Sequence, residues 1–83
     1  MHYDCLITGK IIRQLRKERM LSQEVLSGLA GISRSHLAMI ESGKKSANVN
    51  TLWSIADALQ IPLSQLFLLV EKQIASNGGN ESC

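Results

Sequence analysis

Eighty-three residues, 45% of them apolar, 19% charged and 4% aromatic, suffice for one small folded domain and little more. One proline and six glycines exclude a collagen-like or proline-rich design. The longest unbroken apolar run, Leu66 to Val70, is far short of the roughly 18 residues that a membrane span needs, and Met1 to Thr8 lacks the basic-then-apolar pattern of an export signal.

Apolar residues recur at helical spacing along the chain, and no stretch alternates as a strand would. Ile7, Ile11, Ile12 and Leu15 share one face of a first helix, which is expected to start at Thr8 or nearby and to end near Met20. Ser22 reads as the N-cap of a second helix with Leu26, Leu29 and Ala30 on its inner face, stopped by Gly31 in a left-handed conformation. Ser33 caps a third helix with Leu37 and Ile40 inward, and Gly43 ends it. After the polar loop 44–49, Asn50 is expected to cap a fourth helix carrying Leu52, Ile55, Ala56 and Leu59. Pro62 opens a fifth helix that runs to about Ala75, because proline fits the first turn but not a helix interior. The expected architecture is all-α: five helices in one domain over 1–75, then a flexible polar tail over 76–83.

Charge is distributed unevenly. From Lys10 to Lys45, eight basic residues face three acidic ones, a local net of +5, whereas Ser46 to Cys83 carries −2. One half of the chain is therefore cationic and suited to a phosphate-bearing partner; the alternative is an ordinary solvated surface. Cys5 and Cys83 form no CxxC pair and no metal-ligand cluster with histidine. They read as free thiols of a cytoplasmic protein, with an end-to-end disulfide as the alternative. No metal, cofactor or membrane partner is expected. With only His2 elsewhere and no convergent carboxylates, His36 reads neither as a catalytic group nor as a metal ligand.

The stretch QEVLSGLAGISRSHLAMIES, Gln23 to Ser42, meets several demands at once. Ser27 is small enough for a steep helix crossing, Gly31 accepts the turn, and Leu26, Ile32, Leu37 and Ile40 can lock both helices onto a core. This is helix-turn-helix spacing, with the second helix of the pair free to enter a major groove. Arg34 and Ser35 are that helix's first outward residues, and Arg34 can donate two hydrogen bonds to guanine. A phosphate contact is the alternative for Arg34. Lys44 and Lys45, just after it, suit phosphates or open solvent.

The run RQLRKERMLSQEVLSGLAGISRSHLAMIESGKK, continued by TLWSIADALQIPLSQLF, resembles the Xre/Cro-type (phage λ repressor-like) helix-turn-helix family over residues 10 to about 70. SANVNTL and the single-domain form are similar to restriction–modification controller proteins. The resemblance implies a sequence-specific DNA-binding transcriptional regulator, not an enzyme, acting as a homodimer on a pseudo-palindromic double-stranded DNA operator. It implies base reading by Arg34, Ser35 and Met39, with Gln23, Ser33, His36, Lys44 and Lys45 on the phosphates. Gln23 and Ser33 are also expected to cap their helices. Arg16 and Glu41 match a partly buried ion pair tying the first helix to the end of the third; a phosphate contact is the alternative for Arg16. Met20 stands where the family usually has Gly or Asn, which implies a left-handed residue strained by roughly 1 kcal/mol. Ser27 stands where Ala is usual.

The fifth helix holds more apolar residues than one face can carry. Leu63, Leu66, Phe67, Val70 and Ile74 share a core face, and Leu68 and Leu69 are expected to point elsewhere, onto a dimer interface, with exposed parts of Trp53 as a further candidate. Scattered surface leucines are the alternative. A rival function is a protein-interaction module, such as an antitoxin-like or antagonist protein, in which the fold serves pairing rather than DNA.

Overall fold

The computed structural model describes residues 3–77. Among them are five α-helices and no strand: α1 (Cys5–Glu18), α2 (Gln23–Ala30), α3 (Arg34–Glu41), α4 (Val49–Ala58) and α5 (Leu63–Asn77). All five contribute to one core. Ile7, Ile11 and Ile12 of α1 meet Leu26 of α2, Leu37 and Ile40 of α3, Leu52, Ile55 and Ala56 of α4, and Leu66, Val70 and Ile74 of α5. The tail over 78–83 lies outside the described residues; Ser76 and Asn77 still belong to α5.

Local chemistry sets the helix ends. Asp4, not Thr8, caps α1: its carboxylate accepts the Leu6 and Ile7 amides at 2.9 and 3.2 Å. Thr8 sits one turn in, buried, with its hydroxyl donating to the Asp4 carbonyl at 3.0 Å. An apolar-face argument starts counting too late here, because buried polar residues extend the helix backwards. Ser22 caps α2 through the Val25 amide, and Ser33 caps α3 through the His36 amide. Asn48, two residues earlier than expected, caps α4 by accepting from Thr51, so Asn50 lies within the helix. Gly31 has φ 72° after α2, and the Ile32 amide reaches back to the Ser27 carbonyl at 3.0 Å, a Schellman-type closure. Met20 has φ 57°, the left-handed conformation expected for it.

The inner face of α2 differs from the expected one. Leu29 is 63% exposed, and Ser27 is buried in its place. At 100° per residue, Ala30 and Ser27 lie about 40° and 100° to one side of Leu26, while Leu29 lies about 60° to the other. A helix with only eight residues buries one such arc, and the small residue at the crossing selects which. The same arithmetic separates the two leucines of α5. Leu68 lies opposite the core face and is 49% exposed, whereas Leu69 lies on its flank and packs partly against the core. Leu69 lines the α1–α5 groove with Ile11 and Leu15, so the two do not form one outward pair. Cys5 is buried and disulfide-bonded, which corrects the expected free thiol. Its partner lies outside the described residues. Helix periodicity says nothing about whether a thiol is paired.

Two contacts bind α1 to α3. At Gly9 the backbones touch: a Cβ there would fall on the Ile40 carbonyl oxygen and 2.7 Å from that of Glu41. Farther along, the Arg16 guanidinium meets the Glu41 carboxylate in a two-pronged pair, Nε to Oε2 at 2.8 Å and Nη2 to Oε1 at 3.0 Å. Arg16 Nη1 also donates to the Leu21 carbonyl at 2.8 Å, which fixes the α1–α2 turn. Both charged side chains are buried. Arg19 performs a similar task elsewhere: its Nε donates to the Leu59 carbonyl at 2.7 Å, closing the C-terminal end of α4 with a positive charge.

Two stability outcomes follow from these contacts. Gly9→Ala is expected to lower the unfolding free energy by more than about 2 kcal/mol, although alanine is the better helix former by about 1 kcal/mol. Gly28→Ala, where a Cβ meets nothing within 4 Å, is expected to be neutral or stabilising in the same urea titration. Arg16→Ala and Glu41→Ala should each destabilise, by up to about 3–5 kcal/mol, because each leaves a buried charge uncompensated. The double variant should lose less than the sum; additive losses in the cycle would mean the two side chains do not support each other.

Candidate nucleic-acid interface

The turn between α2 and α3 is short because Gly31 reverses the chain and Ser33 starts α3 at once. Leu37 and Ile40 point α3 inward, and Glu41 is drawn toward Arg16. What is left outward follows from the helix period. Arg34, Ser35, Ala38 and Met39 fall within an arc of about 140°, and Arg34, Ser35 and Met39 are exposed. His36 lies about 60° beyond Met39, half-buried on the flank of that arc. Ser33 holds its place as N-cap at the near end. Lys44 and Lys45 follow the far end, both exposed, their amides turned back onto the Met39 carbonyl at 3.0 and 3.3 Å. The two lysines are thus tied by their backbone to the last turn of α3.

An open groove runs along this face where α1, α2 and α3 meet. Arg13, Arg16, Gln23, Arg34 and Ser42 line it, with Glu41 at its base. Among the described residues, Arg16 alone of its three arginines is neutralised, by the pair with Glu41. Gln23 is not the cap expected of it. Ser22 occupies that position, and the Gln23 carboxamide donates from Nε2 to Glu41 Oε1 at 3.1 Å. The side chain is long enough to cross from the first turn of α2 to the end of α3, and Glu41 offers a stronger acceptor than a backbone carbonyl. Its backbone amide stays in the first turn of α2, where helix amides lack partners within the helix. The buried carboxylate therefore receives three hydrogen bonds, from two arginine nitrogens and one glutamine.

Arg13 and Ser42 belong to this groove although sequence reasoning did not select them. For Arg13 the signal was present: it lies three residues before Arg16 on the same helix, so it must stand beside it. Among the described residues no cluster of three histidine, cysteine or acidic side chains could hold a metal ion, and no single helix is long and apolar enough to cross a membrane. The groove is open, cationic and rimmed by hydrogen-bond donors, and it continues into the exposed arc of α3. Such a surface is suited to an anionic polymer.

Comparison with known proteins agrees with that geometry. The Helix-turn-helix family (HTH_3) matches residues 12–66. The chain is 36% identical over 80 residues to the immunity repressor protein of Bacillus phage phi105, covering 92% of this chain and 56% of the repressor. It thus spans little more than half of that relative's length. It is also 36% identical over 66 residues to the control protein C.MunI of a Mycoplasma species, covering 78% of this chain and 89% of that protein. Among solved structures, the restriction-modification controller protein C.AhdI from Aeromonas hydrophila superimposes with a TM-score of 0.75 at 33% identity, over 80% of this chain and all of that one. The chain belongs to the Helix-turn-helix family, in its Xre/Cro, λ repressor-like form, a family of DNA-binding transcriptional regulators.

Proposed function

We propose that this protein regulates transcription as a homodimer on a pseudo-palindromic operator in the cytoplasm, with restriction–modification genes as its target. The observation that carries the reading is the outward arc of α3, where Arg34, Ser35 and Met39 stand free of the core and the two lysines flank them. In this reading α3 enters the major groove. Arg34 donates to guanine O6 and N7, Ser35 bonds a neighbouring base edge, and Met39 packs on a thymine methyl. Ser33 at the start of α3, the first-turn amide of Gln23, His36 on the flank, and Lys44 and Lys45 at the far end hold phosphates and fix the register. Regulation follows from occupying a promoter, which needs no chemical step.

Restriction–modification genes as the target are supported by likeness: 36% identity to the Mycoplasma control protein and 33% identity to the Aeromonas controller. The interaction-module alternative predicts an α3 face without donors; Arg34 and Ser35 argue against it. Pairing is supported by Leu68, exposed opposite the core face of α5, and by Trp53, 61% exposed on α4. A two-fold axis sets two recognition helices about 34 Å apart, one DNA turn, and each half-site then raises the effective concentration of the other.

Binding to a duplex selected from a random pool should weaken steeply with salt, as released counterions require. Arg34→Ala should cost about 1–3 kcal/mol and relax preference at one base pair per half-site. Lys44→Ala should weaken all sequences alike. Equal affinity of the wild type for every duplex at physiological salt would overturn the regulator reading, and identical profiles for the two variants would remove Arg34 from base reading. For the dimer, Leu68→Lys is the cleaner variant, because Leu69 also serves the core. Leu68→Lys should keep its helical circular dichroism, sediment as a monomer and bind the full site little better than a half-site. A variant that still sediments as a dimer would move the interface off α5.

A further inference from the structure

The face of α1 turned away from the core carries a stripe of cations that the assigned contacts leave unused. At 100° per residue, Lys10, Arg13 and Lys17 fall within about 60° of one another, and all three are exposed. None makes an ion pair among the described residues. One carboxylate stands beside them: Glu18 lines the same hollow and accepts from Gln14 Nε2 at 3.3 Å, without an ion pair to any of the three among the described residues. Three like charges at spacings of three, four and seven residues repel one another and gain nothing from the fold. The arrangement makes sense against an anionic surface.

Arg13 indicates where that surface lies. It lines the groove with Arg34 on the α3 side, and it also lines a shallow hollow on α1 with Lys10 and Lys17. The stripe is thus continuous with the reading face rather than on the far side of the molecule. Gly9 sets the closeness of the two helices, so an anionic polymer lying along α3 passes beside α1 as well.

We propose that Lys10, Arg13 and Lys17 form a second grip on the DNA backbone, holding phosphates of the duplex that flanks the bases read by α3. This rests on the regulator reading above and extends its footprint beyond the helix-turn-helix. The grip reads no bases: it adds affinity and fixes the angle at which α3 enters the groove.

The test compares Lys10→Gln/Arg13→Gln/Lys17→Gln with wild type and with Lys72→Gln, which removes a charge on α5 away from the groove. Glutamine is a good helix former and all three sites are exposed, so the fold is kept, as circular dichroism would verify. Two probes are used: the duplex that the wild type selects from a random pool, with long flanks, and the same duplex trimmed to the read bases. Each phosphate contact contributes about 0.9 to the slope of log K against log salt, so the triple variant of a dimer should show a slope shallower by about 5, and Arg13→Gln alone by about 2. At about 0.15 M salt the triple variant should bind the long duplex more than about tenfold more weakly. Trimming should weaken the wild type and leave the triple variant nearly unchanged, while base preferences stay the same in both.

An unchanged slope, an equal response of both proteins to trimming, or the same loss in Lys72→Gln would overturn the proposal. The last would mean that total charge, not a located grip, is felt; an unchanged slope would send the stripe to some other acidic partner. If the wild type selects no sequence at all, the regulator reading itself fails, and that outcome is separate from these.

Discussion

The close approach of α1 and α3 governs the rest of the molecule. Gly9 removes the side chain that would keep the two backbones apart, and the Arg16–Glu41 pair then fixes their rotation about each other. A helix as short as α3 has almost no stability alone, since eight residues barely repay the cost of nucleation. Its direction comes wholly from what its inner side touches. Leu37 and Ile40 supply burial but little orientation, because apolar contact is nondirectional. The two-pronged bond is directional, and it holds the last residue of the helix. Rotation of α3 by one residue would carry Arg34 about 100° from where it now stands.

That constraint explains why a buried ion pair is tolerated in so small a core. Burying two charges costs several kcal/mol each, and the mutual attraction only roughly offsets it. An apolar pair of similar volume would stabilise the fold at least as well. It would not fix an angle. Glu41 also accepts from Gln23, and Arg16 donates to the Leu21 carbonyl, so the one pair fixes α1, the start of α2 and the end of α3 together. The helix-turn-helix is therefore positioned at both of its ends, while Gly31 and the Ser27 crossing set its middle. The buried charge is retained for geometry, and the cost is spread over four hydrogen bonds.

Most of the fold was legible in the sequence, because caps, glycine stops and helical spacing are local signals that agree with one another. Five helices in this order follow from Ser22, Gly31, Ser33, Gly43 and Pro62. The departures share a cause. Asp4, Leu29 and Asn48 each differ from the local pattern where the outcome depends on a neighbouring element, while Ser27 takes the crossing position expected of it. Asp4 and Thr8 are polar yet buried, so an apolar count passes over them. Leu29 is apolar yet exposed, because α2 turned its small residue toward the crossing. The outward arc of α3 could be read from periodicity once its inner pair was known. The exchange of Gln23 from cap to partner of Glu41 could not, since a glutamine side chain reaches several acceptors and the choice is tertiary. Cys5 shows the same limit in covalent form.

The three arginines of the groove show how one residue type divides its tasks by context. Arg13, Arg16 and Arg34 share a surface, and all three are cations. Arg16 faces a carboxylate inside the fold and so adds no net charge to the groove. Arg13 and Arg34 face no such partner among the described residues and keep theirs. Were Glu41 absent, the groove would gain a unit of positive charge and so attract DNA more strongly at long range. It would also lose the orientation of α3, and attraction without orientation favours no sequence over another. The carboxylate therefore trades nonspecific affinity for geometry. A cation elsewhere can restore the attraction at little cost to that geometry, provided that it sits on a rigid element and bonds only phosphate. An exposed helix face next to the groove meets both conditions, and α1 presents one.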